Sequence, residues 1–403
     1  MIHLREIEQA AQRLQNVIHY VPLSSSKTFS DIAGAEVWLK YENQQKTGSF
    51  KVRGAYNKIM KLHEEGKVTS VVASSAGNHA QGVAFAAQSV GIDATIVMPR
   101  TAPMAKVAAT RGYGANVELY GNFYDDAFRR AMEIQEEKQA AFIHPFDDED
   151  VIAGQGTIGM EILQDLPSVD VVLVPAGGGG LLAGVASCIK QLNPRVKIIG
   201  VQAEGASAIV ESFQAGQRVV KENIHTIADG IAVKAPGELT TEIIRECVDD
   251  MVTVSDEEIA AAILLLLERS KQVVEPSGAA PLAAVLNQKG DWSGKRVVCI
   301  LSGGNIDVSF IHRIVEKGLI NRGRNMKFQA VLRDVPGSLE QFAGIMSRNN
   351  ANITMIQYDR VKTELDLDEV ILHVVCEVDG FEHAHRLILD LETEGYRVTL
   401  ESN

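Results

Sequence analysis

The stretch that decides the fold is DVVLVPAGGGGLLAG, residues 170–184. Its first half is apolar without alternation, as expected of a strand buried on both faces rather than one with a wet side. Its second half is a helix start preceded by four glycines, Gly177 to Gly180. Glycine gives up more chain entropy on ordering than any other residue, so four in a row are costly as filler. Between a buried strand and a helix they leave several backbone N–H groups free to converge on one anion, and a phosphate is the natural occupant. Gly178, Gly180 and Ala183 also satisfy a dinucleotide fingerprint, with Glu204 after the next strand as a possible ribose ligand. An NAD-dependent oxidoreductase therefore stays open at this point.

The same texture recurs on both sides. SVVAS (70–74), ATIVM (94–98), NVELY (116–120), KIIGVQA (197–203) and RVVCIL (296–301) are short β-branched runs, and Ala-rich helical segments separate them. Strand, helix, strand, repeated, is the α/β pattern with mostly parallel sheets. Near GLINRGRNMK (318–327) the texture changes, and 319–326 reads as a linker between a body, 1–318, and a module, 327–403. In that module the strands alternate and the order is βαββαβ, a ferredoxin-like unit of about 75 residues.

Composition narrows the function. The 403 residues carry 39 Lys+Arg against 52 Asp+Glu, a net charge of -13 that disfavours a nucleic-acid partner. No apolar run reaches the roughly 18 residues of a membrane span, and AAAILLLLE (260–268) is short enough for a core helix. The amphipathic start MIHLREIEQAAQRLQ has no signal-peptide character, so the expected address is the cytoplasm. Cys188, Cys247, Cys299 and Cys376 have neither metal-ligand nor disulfide-framework spacing, and no metal site is expected.

Three more segments carry chemistry. In GSFKVRGA (48–55), Lys51 lies between Phe50 and Val52. A surface lysine is the ordinary reading; a buried one would have a lowered pKa and a nucleophilic amine. SSAGNHAQG (74–82) follows a strand and opens a helix, where Asn78 is either a cap or a clamp on a planar group. LSGGN (301–305) places Ser302 at the end of another buried strand, either as a turn or as a hydroxyl at the functional edge. A reactive lysine, an amide clamp, a phosphate cup and a hydroxyl together suit pyridoxal 5'-phosphate.

These segments resemble the threonine/serine dehydratases among the fold type II (tryptophan synthase β-like) pyridoxal-phosphate enzymes, and the C-terminal module resembles an ACT regulatory domain. FDDEDVIAGQGTIGMEI (146–162), EPSGAA (275–280) and EKGLINRGR (316–324) fit as well, so the resemblance covers nearly the whole chain. It implies a two-domain body with a small subdomain at roughly 46–144. It implies that Lys51 binds the cofactor covalently and moves protons, with Phe50 beside the ring. Asn78 would meet the ring hydroxyl, Gly177, Gly178, Gly179, Gly180 and Leu181 the phosphate, and Ser302 the pyridine nitrogen. Ser75, Ala76, Gly77, Asn78 and His79 would receive the substrate carboxylate, and Glu275 and Gly230 would border the cofactor.

The implied reaction is conversion of threonine to 2-oxobutanoate and ammonia, with serine as a lesser substrate; a serine dehydratase or serine racemase is the alternative. Racemases of this family carry a serine two places before the clamp's Asn, where this chain has Ala76. Glu204 remains from an acidic pair that binds a divalent cation in some relatives, but Val210 stands where its partner is expected. A monovalent cation on backbone carbonyls is compatible with the resemblance. The ACT-like module implies a homo-dimer or homo-tetramer and an amino-acid effector near Asp334, Gly337 and Leu339, with Asn352 on the same ligand.

Overall fold

In the computed structural model, which describes residues 1–360 and 366–401, the apolar runs become strands. The module read as 327–403 thus includes residues 361–365 and 402–403, which lie outside the described residues. Val171–Pro175 is buried along its whole length and lies inside a six-stranded sheet. The sheet order is Ser24–Ser25, Glu36–Tyr41, Arg296–Leu301, Val171–Pro175, Lys197–Ala203, Asp250–Val254. Only the first pairing is antiparallel. A second, wholly parallel sheet has the order Asn116–Leu119, Asp93–Met98, Ser70–Ser74, Ala141–Phe142. Both belong to one compact unit, Met1–Ile306.

Three helices of this unit meet backbone to backbone. A Cβ on Gly54 of helix Lys51–Glu64 would lie 2.6 Å from the Val151 carbonyl oxygen, and one on Gly154 would lie 2.6 Å from the Gly54 Cα. A Cβ on Gly184 of helix Gly180–Leu192 would lie 2.4 Å from the Ile152 carbonyl oxygen. Helix Glu149–Asp165 is thus sandwiched between the helix that begins at Lys51 and the helix that follows the glycine loop. Arg53, 0% exposed, ties the first of these to the large sheet, with both its terminal nitrogens and Nε on Glu42 and Glu161 at 2.6–2.9 Å. Lys40, also 0% exposed, reaches Glu161 at 2.6 Å. Burial works against ionisation of Glu161, but Arg53 and Lys40 outweigh it and hold the carboxyl below its usual range.

The second unit, Asp307–Asn403, has an antiparallel sheet in the order Asn352–Asp359, Glu369–Glu377, Asn325–Arg333, Arg397–Leu400. Its strand Asn325–Arg333 alternates buried and half-buried residues, the pattern of a sheet with one covered face. Helices Ser338–Arg348 and Phe381–Thr393 supply that cover through Phe342, Ile345, Leu387 and Leu391. The stretch read as a linker, 319–326, is the end of helix Val308–Asn321, a turn at 322–324 and the start of strand Asn325–Arg333. That helix packs on the strand, with Glu316 paired to Lys327 at 3.2 Å, so it goes with the C-terminal unit. AAAILLLLE stays in the core as helix Asp256–Leu265 and its wider continuation, Leu266–Ser270. Among the described residues no helix is long and apolar enough to cross a membrane.

Candidate active site

A cavity of about 850 Å³ opens between the two sheets of the first unit. Its walls are the carboxyl ends of strands, where α/β sheets place their ligands. It brings together Phe50, Lys51, Ser75, Ala76, Gly77, Asn78, His79, the loop Gly177–Gly180 with Leu181, Gly230, Glu275 and Ser302. Segments up to about 250 positions apart in sequence thus meet in one place.

Lys51 opens the helix Lys51–Glu64, and its Nζ donates to the Pro145 carbonyl at 2.7 Å. The surrounding protein strips water from the amine and pushes its pKa down to about 8, with Glu275 pulling the other way. Phe50 lies with its ring centroid 5.2 Å from that nitrogen.

Across the cavity, Asn78 donates through Nδ2 to both oxygens of Glu275, at 2.9 and 3.0 Å. An ionised carboxylate only accepts, so this pairing turns the amide oxygen away from Glu275, and Oδ1 is buried without a partner. Burial raises the Glu275 pKa to about 7; the Asn78 hydrogen bond opposes this, Asp229 adds to it, and Lys106 and the Asn305 N–H oppose it. The Ser277 hydroxyl close by, beside Gly230, is also buried and unpartnered.

His79 is 4% exposed, and its Nε2 donates to the Ile143 carbonyl at 2.8 Å. Burial, with Lys51 nearby, pushes its pKa down to about 3, so the ring is neutral. The ring is therefore not a cationic carboxylate ligand, and what His79 offers an anion is its backbone N–H. Helix Asn78–Val90 begins here, and its first N–H groups have no acceptor in a preceding turn. Ser75 Oγ accepts from Gly77 N at 3.2 Å, shaping the approach to that helix end.

The glycine loop excludes side chains on every side. A Cβ on Gly177 would lie 2.8 Å from Ile231 Cα, one on Gly178 2.3 Å from the Phe146 ring, and one on Gly180 2.9 Å from Phe146 Cα. Gly179 has φ +98, a conformation that side chains rarely adopt. Backbone alone therefore faces the cavity ahead of helix Gly180–Leu192. Ser302, 2% exposed, ends strand Arg296–Leu301, and its carbonyl accepts from Phe50 N at 3.0 Å.

Several residues at the cavity carry no sequence signal. The turn His144–Asp147 supplies the acceptor for Lys51 and packs on the glycine loop. Phe146 and Asp147 open the segment FDDEDVIAGQGTIGMEI that shares in the resemblance, but nothing there marks the Pro145 carbonyl as the acceptor for Lys51. Ser277, Asp229 and Lys106 were likewise not anticipated.

Other candidates lie elsewhere. Glu204 is exposed, outside the cavity and 4.0 Å from Lys289, while Val210 is a core residue. A dinucleotide reading thus loses its ribose ligand. Among the described residues no cluster of three His, Cys, Asp or Glu side chains forms. In the C-terminal unit, Asp334 pairs with Arg360 at 2.7 Å, next to Gly337 and Leu339. Asn352, however, pairs with Glu377 at the far end of the sheet, whereas Arg333 is opposite Glu369. The antiparallel register keeps Asn352 away from the Asp334 loop of its own chain, so the two could share a ligand only between two copies.

An amine with a depressed pKa, an unpartnered amide oxygen, a row of backbone donors and a buried hydroxyl fit the parts of pyridoxal phosphate, and the cavity is of a size that holds such a ligand. Residues 14–303 match the family described as pyridoxal-phosphate dependent enzyme, and the chain belongs to it. The chain is 49% identical to the L-threonine ammonia-lyase of Thermotoga maritima, over 99% of this chain and 100% of that one. Among solved structures, the processed form of threonine deaminase isoform 2 from Solanum lycopersicum aligns with TM-score 0.74 and 41% identity, covering 78% of this chain and 86% of that one. Maize serine racemase aligns with TM-score 0.74 and 36% identity, covering 79% and 98%.

Proposed function

We propose that this chain is a lyase that converts L-threonine to 2-oxobutanoate and ammonia, with serine as a poorer substrate. The observation that carries the reading is Lys51, an amine brought down to about 8 and placed in one cavity with a side-chain-free glycine loop. The end-to-end similarity to an L-threonine ammonia-lyase supports the choice of substrate. When bound, the cofactor supplies an electron-withdrawing ring that acidifies the α-hydrogen of the amino acid. Lys51 attaches that cofactor and, once displaced by substrate, takes the α-proton on Nζ; a pKa near the working pH suits both tasks.

The N–H groups of Gly177 to Gly180 and Leu181 would hold the phosphate, and the Asn78 amide would meet the ring hydroxyl. Ser302 would meet the pyridine nitrogen with a neutral hydroxyl, which would not hold a proton there as a carboxylate would. The β-hydroxyl and the α-proton would then leave together as water, and the enamine released takes up water to give 2-oxobutanoate and ammonia. The backbone from Ser75 to His79 receives the substrate carboxylate. Ala76 has no proton to give, so nothing at that position can reprotonate the opposite face. That residue weighs against the racemase reading. The oxidoreductase reading leaves Lys51 and Asn78 without roles.

For the C-terminal unit we propose an amino-acid effector site at Asp334, Gly337 and Leu339, at the start of helix Ser338–Arg348. The βαββαβ order of an ACT-like module supports it, and Asn352 could contribute there only from a second copy in a dimer or tetramer. The test of the catalytic reading is borohydride reduction of the holoenzyme followed by peptide mapping, with 2-oxobutanoate and pyruvate release compared for threonine and serine. Cofactor trapped on Lys51 and faster turnover of threonine are expected. Label on another lysine, or serine as the better substrate, defeats the reading.

A further inference from the structure

Four adjacent glycines have almost no conformational preference of their own, so the loop does not by itself determine which of its peptide groups face the cavity. A group behind the loop does. The Gly178 carbonyl accepts from Thr240 Oγ1 at 2.6 Å and from Gly237 N at 3.3 Å. Thr240 is 0% exposed, does not line the cavity, and lies in the first turn of helix Glu238–Cys247. It is itself held, because its N–H donates to Asp147 Oδ1 and that of Glu238 to Asp147 Oδ2, both at 3.0 Å. Asp147 closes the turn His144–Asp147, whose Pro145 carbonyl accepts from Lys51.

Among the described residues no peptide is cis, and in a trans peptide the carbonyl and the following N–H point in opposite directions. A Gly178 carbonyl drawn back to Thr240 therefore turns the Gly179 N–H forward, into the cavity. Were that peptide to flip, a carbonyl oxygen would face the anion instead, and glycine on both sides of the bond makes the flip sterically open.

We propose that Thr240 is a positioning residue whose hydroxyl, by holding the Gly178 carbonyl, aims the Gly179 N–H at the phosphate of the cofactor. The proposal rests on the reading of Gly177–Gly180 as a phosphate cup. Thr240→Val keeps the shape that packs against Gly179, where a Cβ would lie 2.8 Å from Thr240 Cβ, and removes only the hydroxyl.

Full-length protein stripped of cofactor is titrated, by visible absorbance, with pyridoxal phosphate and separately with pyridoxal, which has the same aldehyde and ring but no phosphate. Thr240→Val should weaken pyridoxal phosphate about tenfold, near the ceiling for one net neutral hydrogen bond, and leave pyridoxal within about twofold. Thr240→Ser should recover most of the loss. Equal weakening of both ligands means a merely structural role and overturns the proposal, as does unchanged binding of both. Should the valine variant not fold, Thr240→Ala reads the same contrast. If the unmutated chain itself fails to prefer the phosphorylated ligand, the phosphate-cup reading fails. If it prefers that ligand and Thr240→Val does so equally, only the role of Thr240 fails.

Discussion

Glu275→Gln tests the electrostatics of the site at its most loaded point. The carboxyl is 4% exposed and its pKa is raised to about 7, so the folded chain binds its proton more tightly than the unfolded chain does. A carboxyl raised in this way contributes fully to stability below its unfolded value of about 4.5, and the contribution is lost as pH rises through about 7. A rise of that size corresponds to about 3 kcal/mol against the cofactor-free chain above neutral pH. Glutamine has nearly the same shape, keeps an oxygen for Asn78 Nδ2 and carries no charge. Denaturant unfolding should therefore show the variant more stable by up to about 3 kcal/mol at pH 8 and equal to the parent near pH 4. Lys51 gives a second readout. With its pKa at about 8 rather than 10.5, about a tenth of the amine is neutral at pH 7 instead of about 0.03%, a gain of about 300-fold. The rate at which stripped protein takes up pyridoxal phosphate should rise with pH through a midpoint near 8. Because Glu275 pulls the lysine upward, Glu275→Gln should move that midpoint down. A midpoint near 10.5, an upward shift in the variant, or stability curves that stay parallel from pH 4 to 8 would refute the reasoning.

Two further outcomes follow from the placement of particular residues. Ala76 lines the cavity and has no proton to give, so the unmutated enzyme should form negligible D-serine from L-serine by chiral chromatography. Ala76→Ser should raise it measurably. Isoleucine or valine should shift the threonine saturation curve through the C-terminal unit, by a coupling of about 1–3 kcal/mol, and a chain ending at Arg322 should lose the shift and keep its chemistry. Unaltered curves with every branched-chain amino acid would leave that unit an assembly role.

What could be read from the sequence, and what could not, divides along a physical line. Lys197–Ala203 and Arg296–Leu301 were legible to the residue, because strands buried on both faces need unbroken apolar runs. Glu36–Tyr41 escaped for the opposite reason. EVWLKY includes a lysine that reads as exposed, and Lys40 is buried because the Val21 carbonyl and Glu161, far along the chain, both receive it. Lys51, Asn78, Ser302 and the glycines were legible because each stands where a strand or tight loop gives way to a helix or turn. The contacts of Thr240 with Gly178 and of Pro145 with Lys51 were not, since they depend on which distant segments pack together. Which end of the sheet Asn352 occupies was not legible, because a strand's sequence does not say which loop its end lies beside. Helix Val308–Asn321 was divided wrongly because a composition shift marks a polar surface as readily as a boundary.

The contacts around the cavity also differ in stiffness from one side to the other, and the difference suits a lyase that keeps its cofactor and exchanges its substrate. On the lysine side the walls are fixed by backbone against backbone at Gly54, Gly154 and Gly184 and by the buried Arg53, Glu42, Glu161 and Lys40 cluster. Neither yields cheaply: a glycine contact has no rotamer to change, and removing one partner from a buried ion cluster costs about 3–5 kcal/mol. On the other side, helix Met104–Gly112 of the small sheet's layer meets the Asp229–Ile231 turn through Lys106 and Asp229 at 3.3 Å. The Asp229 side chain is 67% exposed, and such a pair contributes about 0–1 kcal/mol. Lys51 and the glycine loop are therefore held by contacts that cost more to break than the exposed pair of Lys106 and Asp229.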